Sequence, residues 1–212
     1  MTDDRGDLRA WIGHHLDPLE DHAPAAGIRS DYDLSPAWTH DPAVELKPAA
    51  VLVGLVERAQ GYSVLLTRRS DTLRNHTGQV ALPGGRRDPG ETAWATALRE
   101  ANEEIGLDPG LVTLAGLSTP YQTGTGYLIT PVVGFVAQGF SLTANPDEVA
   151  DIFETPFGFL MDPGNYQQQE RELPTGEKRR FYAVSHEDRY IWGATAGILR
   201  ALYDRLYGAA VA

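Results

Sequence analysis

Residues 85–107 read GRRDPGETAWATALREANEEIGL, and the fold turns on the helix inside this stretch. Trp94, Ala97, Leu98, Ala101 and Ile105 fall at i, i+3, i+4, i+7 and i+11, one apolar stripe of an amphipathic helix over 92–105 that packs onto a sheet. Gly106 follows as a natural left-handed C-cap. A second face carries Glu100, Glu103 and Glu104 at i, i+3 and i+4, spacings that bring side chains within roughly 5–6 Å. Three carboxylates so close repel one another, and they stand near the helix C-terminus, where the macrodipole disfavours negative charge. A hard divalent cation such as Mg2+ or Mn2+, which takes oxygen ligands, relieves both effects. Taken alone, this face reads more readily as solvated surface, with Arg99 and Glu103 an ordinary i, i+4 ion pair.

The wider frame reverses that weighing. Gly85, Glu91, Arg99, Glu100, Glu103, Glu104, Gly106 and Leu107 follow the order Gly, five residues, Glu, seven residues, Arg-Glu, aliphatic, any, Glu-Glu, any, Gly, aliphatic. This resembles the Nudix box position for position, too many fixed identities for coincidence. Ala101, the smallest residue the aliphatic position accepts, reads as close packing. The resemblance implies a Nudix fold of the α/β class, a mixed β-sheet sandwiched between helices, and an enzyme that hydrolyses a diphosphate linkage in a nucleoside-containing molecule. It implies that Glu100, Glu103 and Glu104 hold Mg2+ or Mn2+ and carry the catalysis, with Glu103 the first candidate for the base that takes the proton of the attacking water. Glu91 and Arg99 look like the pair that ties loop to helix, a supporting role. Gly84 and Gly85 let the backbone approach metal or phosphate, since no Cβ intervenes.

Immediately upstream, LLTRRSDTLRNHTGQVALPGG holds Arg68, Arg69, Arg74 and His76, and Arg86 and Arg87 follow at once. This basic cluster in an acidic chain suits a multiply anionic ligand, although arginines beside an acidic helix also pair with it. Leu65-Leu66-Thr67, Arg69, Ser70, Arg74, Gly78 and Pro83-Gly84-Gly85 resemble the additional motif of the coenzyme A-hydrolysing branch of the Nudix family. Leu82 stands where that motif has phenylalanine, which keeps an apolar plug and loses a ring. The branch implies cleavage of coenzyme A or its thioesters to 3',5'-adenosine bisphosphate and 4'-phosphopantetheine or its acyl form. Arg69 and Arg74 are then candidates for phosphate contact, with Gly84 and Gly85 beside them in the substrate site. Other nucleoside diphosphate derivatives such as ADP-ribose, or a nucleotide-sensing Nudix-fold protein without catalysis, are the alternatives; the latter is expected to lack metal-ligating glutamates.

The remainder of the chain is consistent with such an enzyme. Its 212 residues, 42% hydrophobic, suffice for one core. A net charge of −11 disfavours nucleic acid and anionic membranes as partners, and leaves a small nucleotide as the ligand to be held locally. Cysteine is absent, which removes thiolate metal sites and cysteine nucleophiles. No apolar run approaches a membrane span or a signal peptide, so a cytoplasmic protein is expected. Residues 1–48 read as an N-terminal helix, with Leu8, Trp11, Ile12, His15, Leu16 and Leu19 at helical spacing up to about Pro18, followed by a wrapping segment; 49–212 read as the Nudix domain. A hairpin is expected from 49–56 and 62–68, strands at 80–82, 112–117, 129–137 and 181–185, and a C-terminal helix over 193–207. Glu148, in NPDEVADIF, reads as a cap or solvated acid entering a helical or loop segment more readily than as a further metal ligand. Tyr190 and Trp192, placed at the opening of the last helix, read as core or dimer-interface residues, which leaves a homodimer open. Residues 121–127 read as a loop that could shape the substrate pocket, and the adjacent His14 and His15 are rejected as a metal pair.

Overall fold

The computed structural model describes residues 8–20, 27–35, 45–71, 78–172, 176 and 178–208. In chain order the elements are α1 (Leu8–His15), β1 (Arg29–Ser30), β2 (Lys47–Arg58), β3 (Gly61–Arg69), β4 (Val80–Ala81), β5 (Gly84–Arg86) and α2 (Ala93–Ile105). They continue with β6 (Val112–Leu117), β7 (Tyr121–Gln122), β8 (Tyr127–Val136), β9 (Val149–Pro156), α3 (Phe157–Leu160), β10 (Gln167–Glu172), β11 (Lys178–His186), β12 (Arg189–Trp192) and α4 (Ala194–Tyr207).

The run AAVLVGLV is apolar throughout because β2 is central and covered on both faces. It pairs antiparallel with β3 across the two-residue Ala59-Gln60 turn and parallel with β8 from Lys47↔Tyr127 to Val56↔Val136. Near its start it also takes β5, antiparallel, with Ala50 opposite Gly85. The period of two divides its side chains between two cores. Ala50, Leu52 and Val56 face α2, against Ala93, Ala97, Ala101 and Ile105. Val53 and Leu55 face the other way, against Leu199, Leu202 and Leu206 of α4 and Ile12 of α1. The mixed sheet is thus covered by helices on both sides, as expected.

A second sheet of three antiparallel strands, β10-β11-β12, packs Val184 and Ile191 onto α4. Its edge strand β10 is mostly solvent-exposed, and its outer side has no partner strand among the described residues.

Several expectations need correction. The first helix ends at His15, where Arg205 donates to the His15 carbonyl, and the chain then runs extended so that Asp17 bridges Leu117. Tyr190 and Trp192 lie on β12 ahead of the last helix, since Gly193 turns the chain between them with φ 64°. Residues 121–127 form a strand and a tight turn bonded to β8. The segment after Glu148 is neither helix nor loop but β9, which pairs with β3. Its alternation is masked by Asp151 and Glu154, which bond Arg189 and Arg58.

Candidate active site

Helix α2 opens at Thr92, whose hydroxyl accepts from the Ala95 amide at 3.3 Å, and closes at Gly106, left-handed at φ 66°. With both ends fixed and Ala101 fully buried, its last turn is pressed against the Gly84–Gly85 strand. The Gly84 amide donates to Glu104 Oε2 at 3.1 Å. A Cβ on Gly85 would stand 2.5 Å from Glu100 Cδ, so any other residue there pushes that carboxylate out of its place. The glutamates therefore do not share one solvated face. Glu104 is 4% exposed, Glu100 largely covered, and Glu103 more than half exposed.

Burial dominates the electrostatics. It pushes the Glu104 carboxyl up to about 7, helped by the charges of Glu100 and Glu148 and opposed by the Gly84 amide and Arg69. Glu100 is raised as well, first by burial, with Arg99 pulling against it and Glu103 and Glu148 adding to it. Glu91 moves in the opposite direction. Arg99 Nε and Nη2 reach its two oxygens at 2.8 and 3.1 Å, Thr96 Oγ1 donates at 2.8 Å, and these bonds hold it at about 2. Arg99 Nη1 donates to Glu100 Oε1 at 2.8 Å and Glu103 Oε2 at 2.9 Å, and Nη2 also reaches the Arg86 carbonyl at 3.2 Å. All five guanidinium N–H groups are used, binding the loop, the helix and three acidic side chains into one unit.

Among the described residues, no three acidic or histidine side chains already stand at ligating distance from a common point, because Arg99 Nη1 bridges Glu100 and Glu103. The donor set nevertheless fits a hard divalent cation. It consists of oxygens only, and burial raises two of its carboxyls, a cost that a nearby cation removes. Glu103 is exposed enough to leave Arg99 without disturbing packing.

Arg69 ends β3 beside a register shift, with Val149 as its partner on β9. Its charge acts on Glu104, and its buried Nε has no hydrogen-bond partner among the described residues. Next to it the Ser70 amide donates to the Glu148 carbonyl at 2.9 Å, which carries Glu148 to the carboxylate group. Glu148 is thus the residue that sequence reasoning set aside; β3–β9 pairing brings it in, and no local spacing signals that. Leu82 is a buried plug in the α4-side core. Arg74 and His76 lie outside the described residues.

The sequence profile of the NUDIX domain matches residues 46–174. The chain belongs to the Nudix family. It is 42% identical over 159 residues to a protein of Photorhabdus laumondii named "Uncharacterized Nudix hydrolase NudL", covering 74% of this chain and 84% of that one. The protein of the same name in Escherichia coli K12 is 41% identical over 157 residues, covering 74% and 81%. Among solved structures, the MutT protein of Methanosarcina mazei is 17% identical with a TM-score of 0.49, covering 81% of this chain and all of that one. This Nudix protein is accordingly a hydrolase of pyrophosphate bonds in nucleoside diphosphate derivatives, in a family that uses divalent metal ions. Among its described residues no helix is long and apolar enough to cross a membrane.

Proposed function

We propose that this Nudix hydrolase cleaves the central diphosphate of coenzyme A or its thioesters, releasing 3',5'-adenosine bisphosphate and 4'-phosphopantetheine or its acyl form. The observation that carries the reading is Arg69: a guanidinium beside Glu104 whose buried Nε has no hydrogen-bond partner among the described residues, at the arginine position of the Leu65-Leu66-Thr67 motif. A guanidinium placed next to a carboxylate group is suited to charge-assisted hydrogen bonds with a phosphate oxygen. Glu100, Glu103 and Glu104 would hold Mg2+ or Mn2+, with Glu148 near enough to add its charge. Held there, a divalent cation would supply charge against the diphosphate oxygens and lower the pKa of a water. Glu103, the most exposed of the three, is the candidate to accept that water's proton. Gly84 and Gly85, the candidates for backbone contact with the phosphates, lie so close to Ala50–Val51 and to the Glu100 carboxylate that a side chain at either would push into them, and Glu91 with Arg99 keeps loop and helix in register. Arg74 remains a second candidate for phosphate contact.

The test is incubation with coenzyme A, ADP-ribose and a nucleoside triphosphate mixture in separate Mg2+ and Mn2+ reactions, with products identified by mass. Metal-dependent 3',5'-adenosine bisphosphate from coenzyme A, lost in Glu104→Gln, is expected. Turnover of ADP-ribose or a triphosphate in its place would remove the coenzyme A assignment. Binding without turnover would support a nucleotide-sensing role.

A further inference from the structure

Away from the glutamates, Asp31 is a nearly buried carboxylate, its side chain 8% exposed, that gathers three donors from distant parts of the chain. Tyr121 Oη donates at 3.0 Å, the Gly124 amide at 2.8 Å, and Arg179 of β11 forms an ion pair through Nη2. Gly197 of α4 leaves the space that the Tyr121 phenol fills, and Gly124 leaves the space for the Arg179 guanidinium, since a Cβ there would stand 2.7 Å from Nη1. What this assembly grips is the turn Thr123–Gly126, itself closed by Gly126 N–H to the Thr123 carbonyl at 3.2 Å. Strand register locates the turn. Arg86, Ala49, Ile129, Tyr121 and Arg29 form one row across five strands. The row begins at the residue after Gly85, so Tyr121 lies three strand spacings, about 14 Å, from the glycine cradle. The turn projects from the same end of the sheet, with Gly124 and Thr125 exposed. A ligand whose diphosphate rests at Gly84–Gly85 and whose organic part runs along the sheet end meets it.

We propose that Asp31 and Arg179 are positioning residues that fix the Thr123–Gly126 turn as a wall of the subsite for the organic moiety beyond the diphosphate. They set substrate affinity and take no part in the chemistry. This rests on the diphosphate lying at Gly84, Gly85 and Glu100, and not on coenzyme A being the substrate.

The experiment measures kcat and KM for coenzyme A and for ADP-ribose with Mn2+ on wild type, Arg179→Gln, Arg179→Lys and Gly124→Ala, with melting temperatures alongside. For whichever compound wild type hydrolyses, Arg179→Gln raises KM about tenfold with kcat within twofold. Arg179→Lys, which keeps the charge opposite Asp31, recovers part of the loss. Gly124→Ala, which displaces the guanidinium without removing it, reproduces the KM effect. Unchanged KM with a lowered melting temperature would reduce the assembly to a structural tie, and loss confined to kcat would place it in the chemistry; either overturns the inference. Turnover of ADP-ribose alone, with the KM pattern intact, removes coenzyme A as substrate and leaves the wall standing. Wild type that hydrolyses neither compound overturns both.

Discussion

Glu104 is a carboxylate with almost no access to water and, among the described residues, one hydrogen bond, from the Gly84 amide. In the metal-free protein it keeps its proton up to about pH 7, whereas an unfolded chain releases it near the ordinary glutamate value of 4.5. Between these values the folded state binds more protons, so stability falls as pH rises, by up to about 3 kcal/mol. Urea titrations in chelator at pH 5, 6 and 7.5 are expected to show the decline in wild type and its near absence in Glu104→Gln. A flat wild-type profile would mean that the site relieves the buried charge by another route. Arg99 has the opposite character, since its guanidinium satisfies several acids at once. Arg99→Ala is expected to destabilise by about 1–3 kcal/mol, the figure for a buried pair discounted for partial exposure. Because Glu91 is held at about 2, the part owed to that pair is present above about pH 4.5 and lost as pH falls toward 2. Urea midpoints of wild type and variant at pH 3 and pH 7 check it, and the gap is expected to narrow at the lower pH.

At the scale of elements, the meeting of helix α2 and strand β5 decides the site. Gly85→Ala puts a methyl group into the Glu100 carboxylate, and displacing that group by about 1 Å is expected to lower kcat about 100-fold, with much less effect on the urea midpoint. Thr92→Ala removes the N-cap at the far end of the same helix and is expected to cost about 1 kcal/mol while leaving KM unchanged. Together, steady-state kinetics and urea unfolding on the two variants separate shape at the glycine cradle from general helix stability. This helix was readable in the sequence because its glutamates, cap residues and apolar stripe are all set by spacing along one element. The burial of Glu104 was not, since it depends on how far the helix is rolled against Gly84. Glu148 and the Asp31 assembly were hidden for a related reason: each is made by strand register between segments far apart in sequence. Strand β9 is not legible from alternation because its charged residues Glu154 and Asp151 find partners on β2 and β12, where alternation alone suggests solvent.

For the molecule as a whole, the net charge of −11 is common to folded and unfolded chains, but folding gathers Glu100, Glu103, Glu104 and Glu148 in one place, which makes the folded state the better cation binder. Binding to the native state alone stabilises by about 2.7 kcal/mol at a free metal concentration one hundred times Kd. The melting temperature is therefore expected to rise with added Mn2+ and fall back with chelator, and Glu104→Gln to blunt that response. The second sheet carries a different consequence. Strand β10, Gln167–Glu172, offers an unpaired outer side among the described residues and side chains that are nearly all exposed, with Glu170, Arg171 and Glu172 in succession. A backbone edge of this kind is a template on which another chain can add a strand, and charges at its tip are what discourage growth. These three residues are expected to guard against aggregation: replacing Glu170 and Glu172 by valine would turn a solvated margin into a nucleus for chain-to-chain stacking, visible as light scattering at concentrations where wild type stays clear.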